Sequence, residues 1–478
     1  MIKSVSRRLI LACTTAMLVA CATPPDLGAR PEMAAPDRYD SVQSFAAPVA
    51  DWPSDRWWQA YGDPALNALI EEALADSPTL AAAAARMRQA QAGAQQTGSS
   101  RYPSVQGQTG IETSRQDLSA SNIPEAIRDS LPEDWETQTS ASLQFSYQLD
   151  FFGRNRASFA QATSRAEAME AEAAEARLQI STAVALAYAE LVRYTADRRQ
   201  LEQAAELRQY SATLTRDRVT AGLENEAPAQ QATTELARAR ADLIALDAEI
   251  IRTRHQLAAL LGKGPDRGLE IAVPQAPALT RIGLPARVDL DLIGRRPDLV
   301  AARLRAESAA EGINVARADF YPNVNLAAVV GIQTLGLGRL GSGDLSFAQV
   351  GPAVSLPIFS GGRIEGAYRG ARADYDEAVA LYNDSLTTAL REVADALNDR
   401  RAIEAELAEQ RQGLVAAEAA YRVIRLRYEG GLASYIDTLS VESSLIDQRR
   451  TVAALEARAF SLDITLIRAL GGGFTTAS

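Results

Sequence analysis

The chain has 478 residues, a formal net charge of −11 and only 6% aromatic residues, and Ala, Leu, Glu, Gln and Arg fill long stretches of it. That mix favours extended helices with narrow seams over a wide globular core. Its basic pairs, Arg198-Arg199 and Arg400-Arg401, are flanked by Asp and Glu and read as solvated helix faces, which argues against nucleic acid as a partner.

Residues 1–20 carry Lys3, Arg7 and Arg8, then an apolar run with a small-residue end. This is the pattern of a secretory signal peptide, too short for a membrane stop. Leu18-Val19-Ala20-Cys21 resembles the bacterial lipobox. The resemblance implies that Cys21 is the acylated first residue of the mature chain. Ala22 stands where Asp would mark inner-membrane retention, so it also implies the outer membrane. The only other cysteine is Cys13, inside the signal, so the exported chain has no intramolecular disulfide. Residues 21–60 form a lipidated tether, Pro-rich over 24–53, in which Trp52, Trp57 and Trp58 read as packing residues leading into a helix. No other apolar run reaches 18 residues, so any membrane passage requires a closed β-barrel.

The first of two repeats spans 64–262. A shorter helix is expected at about 78–100, followed by a weak strand at 103–113, where Val105, Thr109 and Ile111 alternate with Gln106, Gln108 and Glu112. The next strand, 140–151, is clear: Ala141, Leu143, Phe145, Tyr147, Leu149 and Phe151 alternate with polar residues. A period of two with one apolar face marks a half-buried or lipid-facing strand. A helix then runs over 154–221, roughly 100 Å at 1.5 Å per residue. Gly222 breaks it and a second helix returns over 228–262.

Residues 263–286, rich in Pro and Gly, connect to the second repeat at 287–471. The same elements recur in order: a helix at 297–319, strands at 323–332 and 350–358, a long helix at 363–429, a break at Gly430-Gly431 and a return helix at 435–470, before a tail at 472–478. The apolar faces of these strands are Val324, Leu326, Ala328, Val330 and Ile332, then Val350, Val354, Leu356 and Ile358. "RYPSVQ" at 101 matches "FYPNVN" at 320, and Arg218…Gly222-Leu223 matches Arg427…Gly431-Leu432. The chain therefore reads as an internal duplication. Four strands cannot close a membrane barrel, which starts at eight, so closure by three copies into a twelve-stranded barrel is expected.

Chemistry-bearing motifs are sparse. "GLGRLG" at 336–341 matches a dinucleotide fingerprint in letters, but a strand rather than a helix follows it, so it has no phosphate site. His255 is the only histidine and lies on an amphipathic helix, so no catalytic triad, metal site or cofactor site is expected. At the second turn, Tyr428 precedes the glycines and Asp437 follows them, and their counterparts in the first repeat are Val219 and Pro228. Chain reversal needs glycine in both copies. It does not need the aromatic and the acid in only one. Asp437 is open to a second reading, as an acid favoured by the helix dipole.

The lipobox, the duplicated unit, the two Tyr-Pro strand entries, "LPIFSGGR" at 356–363 and "RYEGGLASYIDTLSVESSL" at 427–445 resemble the TolC-type outer-membrane efflux proteins. The likeness extends to their lipoprotein branch, the OprM- and NodT-like factors of resistance-nodulation-division pumps. It implies a mainly α chain with a membrane β portion: a homotrimer whose twelve-stranded barrel continues into a long α-helical barrel. It also implies a passive exit duct for small molecules, partnered by a periplasmic adaptor and an inner-membrane pump. The implied periplasmic aperture falls on Tyr428 and Asp437. Ser440 stands where relatives often have a second Asp, and Ala433 where some have a locking Arg. The contrasting reading is a periplasmic coiled-coil scaffold lipoprotein without a barrel; the apolar strand faces discriminate, because a scaffold has no core for them.

Overall fold

The computed structural model describes residues 23–115, 135–272, 283–286, 288–335 and 346–475. Over these the chain is mainly helical, with one small sheet. The elements are α1 (Pro64–Asp76), α2 (Pro78–Gly98), β1 (Ser104–Ser114), β2 (Glu136–Leu149), α3 (Arg154–Thr220), α4 (Glu226–Leu260) and α5 (Pro265–Leu269), then α6 (Val288–Arg295), α7 (Pro297–Ala318), β3 (Asn323–Leu335), β4 (Ser346–Ser355), α8 (Arg363–Glu429) and α9 (Tyr435–Ala469). α3 and α8 have 67 residues each, and α4 and α9 have 35 each.

Local chemistry sets the boundaries. Asp63 caps α1 by accepting from the backbone N–H groups of Ala65 (2.8 Å) and Leu66 (3.3 Å), and Pro64 supplies a first-turn residue with no N–H to satisfy. β2 stops at Leu149, two residues before the expected end, because Asp150 turns to cap α3. Its carboxylate accepts from the N–H groups of Asn155 (3.1 Å) and Arg156 (2.9 Å). β4 stops at Ser355, so Leu356 and Ile358 lie beyond the strand, where Pro357 has no N–H to offer a ladder. α4 begins at Glu226 rather than 228 because Asn225 caps it, accepting from the N–H of Ala227 at 3.0 Å.

The sheet order is β1-β2-β3-β4, antiparallel throughout. The register sets Val105 opposite Phe145, Leu143 opposite Val330 and Val330 opposite Ala348, so the apolar residues of all four strands share one face. Val105, Ile111, Leu143, Val330, Val350 and Val354 on it are exposed. The opposite face is polar: Gln144 donates to Gln108 at 3.0 Å, and Ser146 donates to Asn325 at 3.2 Å. Phe347, opposite Gly331, and Val329, opposite Gln144, are apolar exceptions on that polar face.

The described residues fall into two compact units. One comprises residues 23–32, Arg88–Glu167 and Leu304–Ala380 and holds the sheet. Within it the tether is fixed to α8: Arg372 donates to the carbonyls of Gly28 (3.2 Å) and Ala29, and Tyr375 to that of Pro31 at 3.0 Å.

The other unit comprises Met33–Met87, residues 168–303 and residues 381–475 and holds the main apolar core. Trp57 packs edge-on to Trp58 and Tyr61, with ring centroids 5.7 and 6.2 Å apart, and Leu66, Ile70, Tyr188, Leu191 and Phe460 complete the cluster. Each fully buried large side chain there contributes about 1.5–3 kcal/mol. Tyr188 donates to the cap residue Asp63 at 2.6 Å, joining the core to the start of α1. Among the described residues no helix is long and apolar enough to cross a membrane.

Candidate functional site at the helical turns

The α3–α4 and α8–α9 connections are built alike. Gly222 (φ 72°) and Gly431 (φ 74°) are left-handed. Leu223 N–H donates to the Arg218 carbonyl (2.8 Å) and Gly222 N–H to that of Val219 (3.0 Å). In the second turn Leu432 donates to Arg427 (2.7 Å) and Gly431 to Tyr428 (3.0 Å). This is the Schellman arrangement, which satisfies the last helical carbonyls and needs a residue free to adopt positive φ. Gly430 does not share that need. Its φ is not positive, and the α3–α4 turn has Ala221 at the matching place.

Ser434 and Asp437 form a capping box at the start of α9. The Ser434 N–H donates to Asp437 Oδ2 at 3.1 Å, and the Asp437 N–H donates back to Ser434 Oγ at 3.3 Å. The Ser434 hydroxyl also donates to Asp437 Oδ2 at 2.7 Å. The Ser434 hydroxyl and N–H hold the Asp437 carboxyl below its usual range, and Arg427 adds to this. The capping reading of Asp437 is therefore realised in its geometry. Its side chain is nonetheless exposed, as is that of Ser440 one turn along.

Tyr428 faces inward. It is 2% exposed and packs with Tyr435, Ala212, Ala232 and Leu236, against which Ala433 also lies. Its hydroxyl donates to Glu224 Oε2 at 2.9 Å, joining the second turn to the first. Arg218 donates to the Tyr428 carbonyl at 3.2 Å, sets its guanidinium 4.9 Å from the ring centroid and lies 3.7 Å from Glu224. Burial pushes the phenol up to about 12, and the Glu224 carboxylate adds to this. A guanidinium thus reaches this turn from Arg218 of the other hairpin, while Ala433 is apolar filling.

Further along the helices, Arg208 joins α3, α4 and α9. It lies 3.1 Å from Glu442, donates to Glu235 at 3.2 Å and donates to Ser443 at 3.0 Å. Ser211 donates to Glu442 Oε2 at 2.7 Å. Glu442 is 1% exposed, and burial raises its carboxyl above the usual range. Sequence reasoning missed Glu224, Arg208 and Glu442. Arg218 was visible only as a repeat marker matching Arg427. The available signal was that Glu224 and Ala433 occupy the same repeat position, so the acid is present in one turn only.

Of the other expectations, Cys21 and the 336–341 loop lie outside the described residues. His255 is exposed on α4.

The outer membrane efflux protein family profile matches residues 69–263 and 291–472. The chain is 41% identical to the outer membrane protein VceC from Vibrio cholerae, with a TM-score of 0.82 over 88% of this chain and 100% of that one. It is 30% identical to the pyoverdine export outer membrane protein OpmQ of Pseudomonas putida, covering 98% of each. It is also 28% identical to the multidrug resistance outer membrane protein MdtP of Escherichia coli, over 96% of this chain and 95% of that protein. The chain belongs to the outer membrane efflux protein family and is an outer-membrane efflux channel protein.

Proposed function

We propose that three copies of this chain close twelve strands into an outer-membrane barrel continuous with a helical tunnel in the periplasm. The duct passes small molecules outward and spends no energy itself. A periplasmic adaptor and an inner-membrane pump of the resistance-nodulation-division type deliver the cargo. Relatives named for multidrug resistance and pyoverdine export support small organic molecules as the cargo class. Cys21, acylated after removal of residues 1–20, anchors the chain in the outer membrane. An internal duplication gives each chain its two hairpins.

One observation carries this reading: four antiparallel strands present an exposed apolar face and a hydrogen-bonded polar face. A sheet with that patterning closes only with further strands, and apolar-out, polar-in alternation suits lipid outside and water within. Exposed Trp135 precedes β2, and Phe151, Phe152 and Phe359 lie exposed beyond the opposite strand ends, as interfacial aromatic girdles do. A barrel-less scaffold leaves this apolar face without a partner.

The aperture of the duct lies at the α8–α9 turn. Asp437, exposed on α9, supplies three converging carboxylates in the trimer, with Ser440 beside them. Tyr428, with Glu224 and Arg218, ties the two hairpins of one chain together so that the ring stays narrow. Converging carboxylates attract cations. Single-channel recording in planar bilayers tests this: the closed channel prefers cations, and Asp437→Ala raises its leak conductance. Unchanged conductance in Asp437→Ala removes the acid from the aperture.

A further inference from the structure

Where the sheet meets the helices, a cavity of about 610 Å³ lies between α3 and α7. Its charged groups are Arg156, Arg317 and Glu311. Phe152 and Tyr321 form one wall, stacked with centroids 4.7 Å apart and planes within 10°. Arg317 has no ion pair among the described residues, and Arg156 is largely exposed, 3.4 Å from Asp150. Asn314 donates to Glu311 at 3.0 Å, holding one carboxylate oxygen in place.

We infer that this cavity is a binding site for the headgroup of a zwitterionic phospholipid, with the two arginines on the phosphodiester and Glu311 on the primary ammonium. The inference rests on the barrel reading above. Three features support a lipid. The cavity begins where β2 ends at Leu149 and β3 begins at Asn323, the level at which an apolar sheet face gives way to lipid headgroups. It lies under the two central strands of the order β1-β2-β3-β4, so a neighbouring copy pairing at β1 or β4 leaves it open. Its charges also complement the ligand: guanidinium pairs recognise phosphate oxygens, a carboxylate suits an ammonium, and the stacked rings give the glycerol end an apolar wall.

Helix geometry supports an outward opening. On α3, Phe159 faces Gly98 at the end of α2, with Arg101 lying 4.7 Å over its ring. Arg154 and Gln161 face α7: Arg154 pairs with Asp319, just past its end, at 2.8 Å, and the Gln161 side chain lies against Gly312. Arg156 and Ala160 line the cavity between those two directions. At about 100° per residue, the sector containing them spans roughly 210°. In a ring of helices the sector between two neighbours exceeds 180° only on the outer side.

The test is native mass spectrometry of the detergent-solubilised full chain with added phosphatidylethanolamine, phosphatidylglycerol or inorganic phosphate. The wild type retains up to one phosphatidylethanolamine per chain. The double variant Arg156→Ala/Arg317→Ala retains at least tenfold less. Glu311→Gln loses phosphatidylethanolamine but keeps phosphatidylglycerol. Ala160→Trp, which fills the cavity and leaves every charge in place, matches the double variant while the number of chains in the particle stays the same. Equal retention by the wild type and these variants overturns the site, and so does displacement of the lipid by inorganic phosphate. A trimer without retained lipid overturns this site alone, whereas a monomeric particle overturns the barrel and the site with it.

Discussion

Tyr428 contributes through a contact made 204 residues away in sequence, to Glu224. A hydrogen bond to a charged acceptor contributes about 1.5–3 kcal/mol. Tyr428→Phe keeps the packing and loses that bond, so the hairpins separate more easily. The expected result is a higher leak conductance with little change in the far-ultraviolet dichroism of the folded protein; a leak at the wild-type level sets the link aside. Glu442 makes a separate prediction. Its folded carboxyl sits above the usual range because it is buried. In the window between the ordinary and the raised values, the folded protein holds this proton more readily than the unfolded chain does. Through this group, stability therefore rises as pH falls through that window. Glu442→Gln removes that contribution to the pH slope, while Glu442→Ala leaves Glu235 as the one acid on Arg208 and costs about 3 kcal/mol. Thermal melts of both variants across acid pH check the sign.

The elements were largely legible in the sequence, for reasons specific to each. The ends of α3 and α8 fall within a residue of expectation because Gly222 and Gly431 supply the left-handed residue that ends each helix. The helix N-termini fall where expected except that of α4; Asn225 and Asp150 act through side chains that can equally sit in a strand or a loop. That ambiguity moved the end of β2 and the start of α4 by two residues each. At the turns, Ser434 and Asp437 stand at capping-box spacing and so were readable, whereas the Tyr428–Glu224–Arg218 cluster was not. It exists only once one hairpin packs on the other, and no local pattern encodes that. The two adjacent glycines of the second turn separate by substitution. Gly431→Ala forces a side chain into positive φ and costs about 1–2 kcal/mol. Gly430→Ala, whose added carbon would lie 3.4 Å from the Leu426 carbonyl, stays within about 0.5 kcal/mol of wild type. Equal losses in denaturant melts of the two variants contradict that division.

For the whole molecule, family membership and the sheet's two faces point the same way. The family match covers residues 69–263 and 291–472. A four-stranded sheet with an exposed apolar face has no use for it in a single soluble chain, yet four strands are too few to enclose a pore. Closure by the three copies proposed for the barrel would resolve both problems. Sedimentation velocity of the detergent-solubilised particle tests this most directly, because it reads mass and shape together. A trimeric duct predicts the protein mass of three chains and the high frictional ratio of an elongated body; the mass of one chain, or three chains in a compact particle, contradicts it.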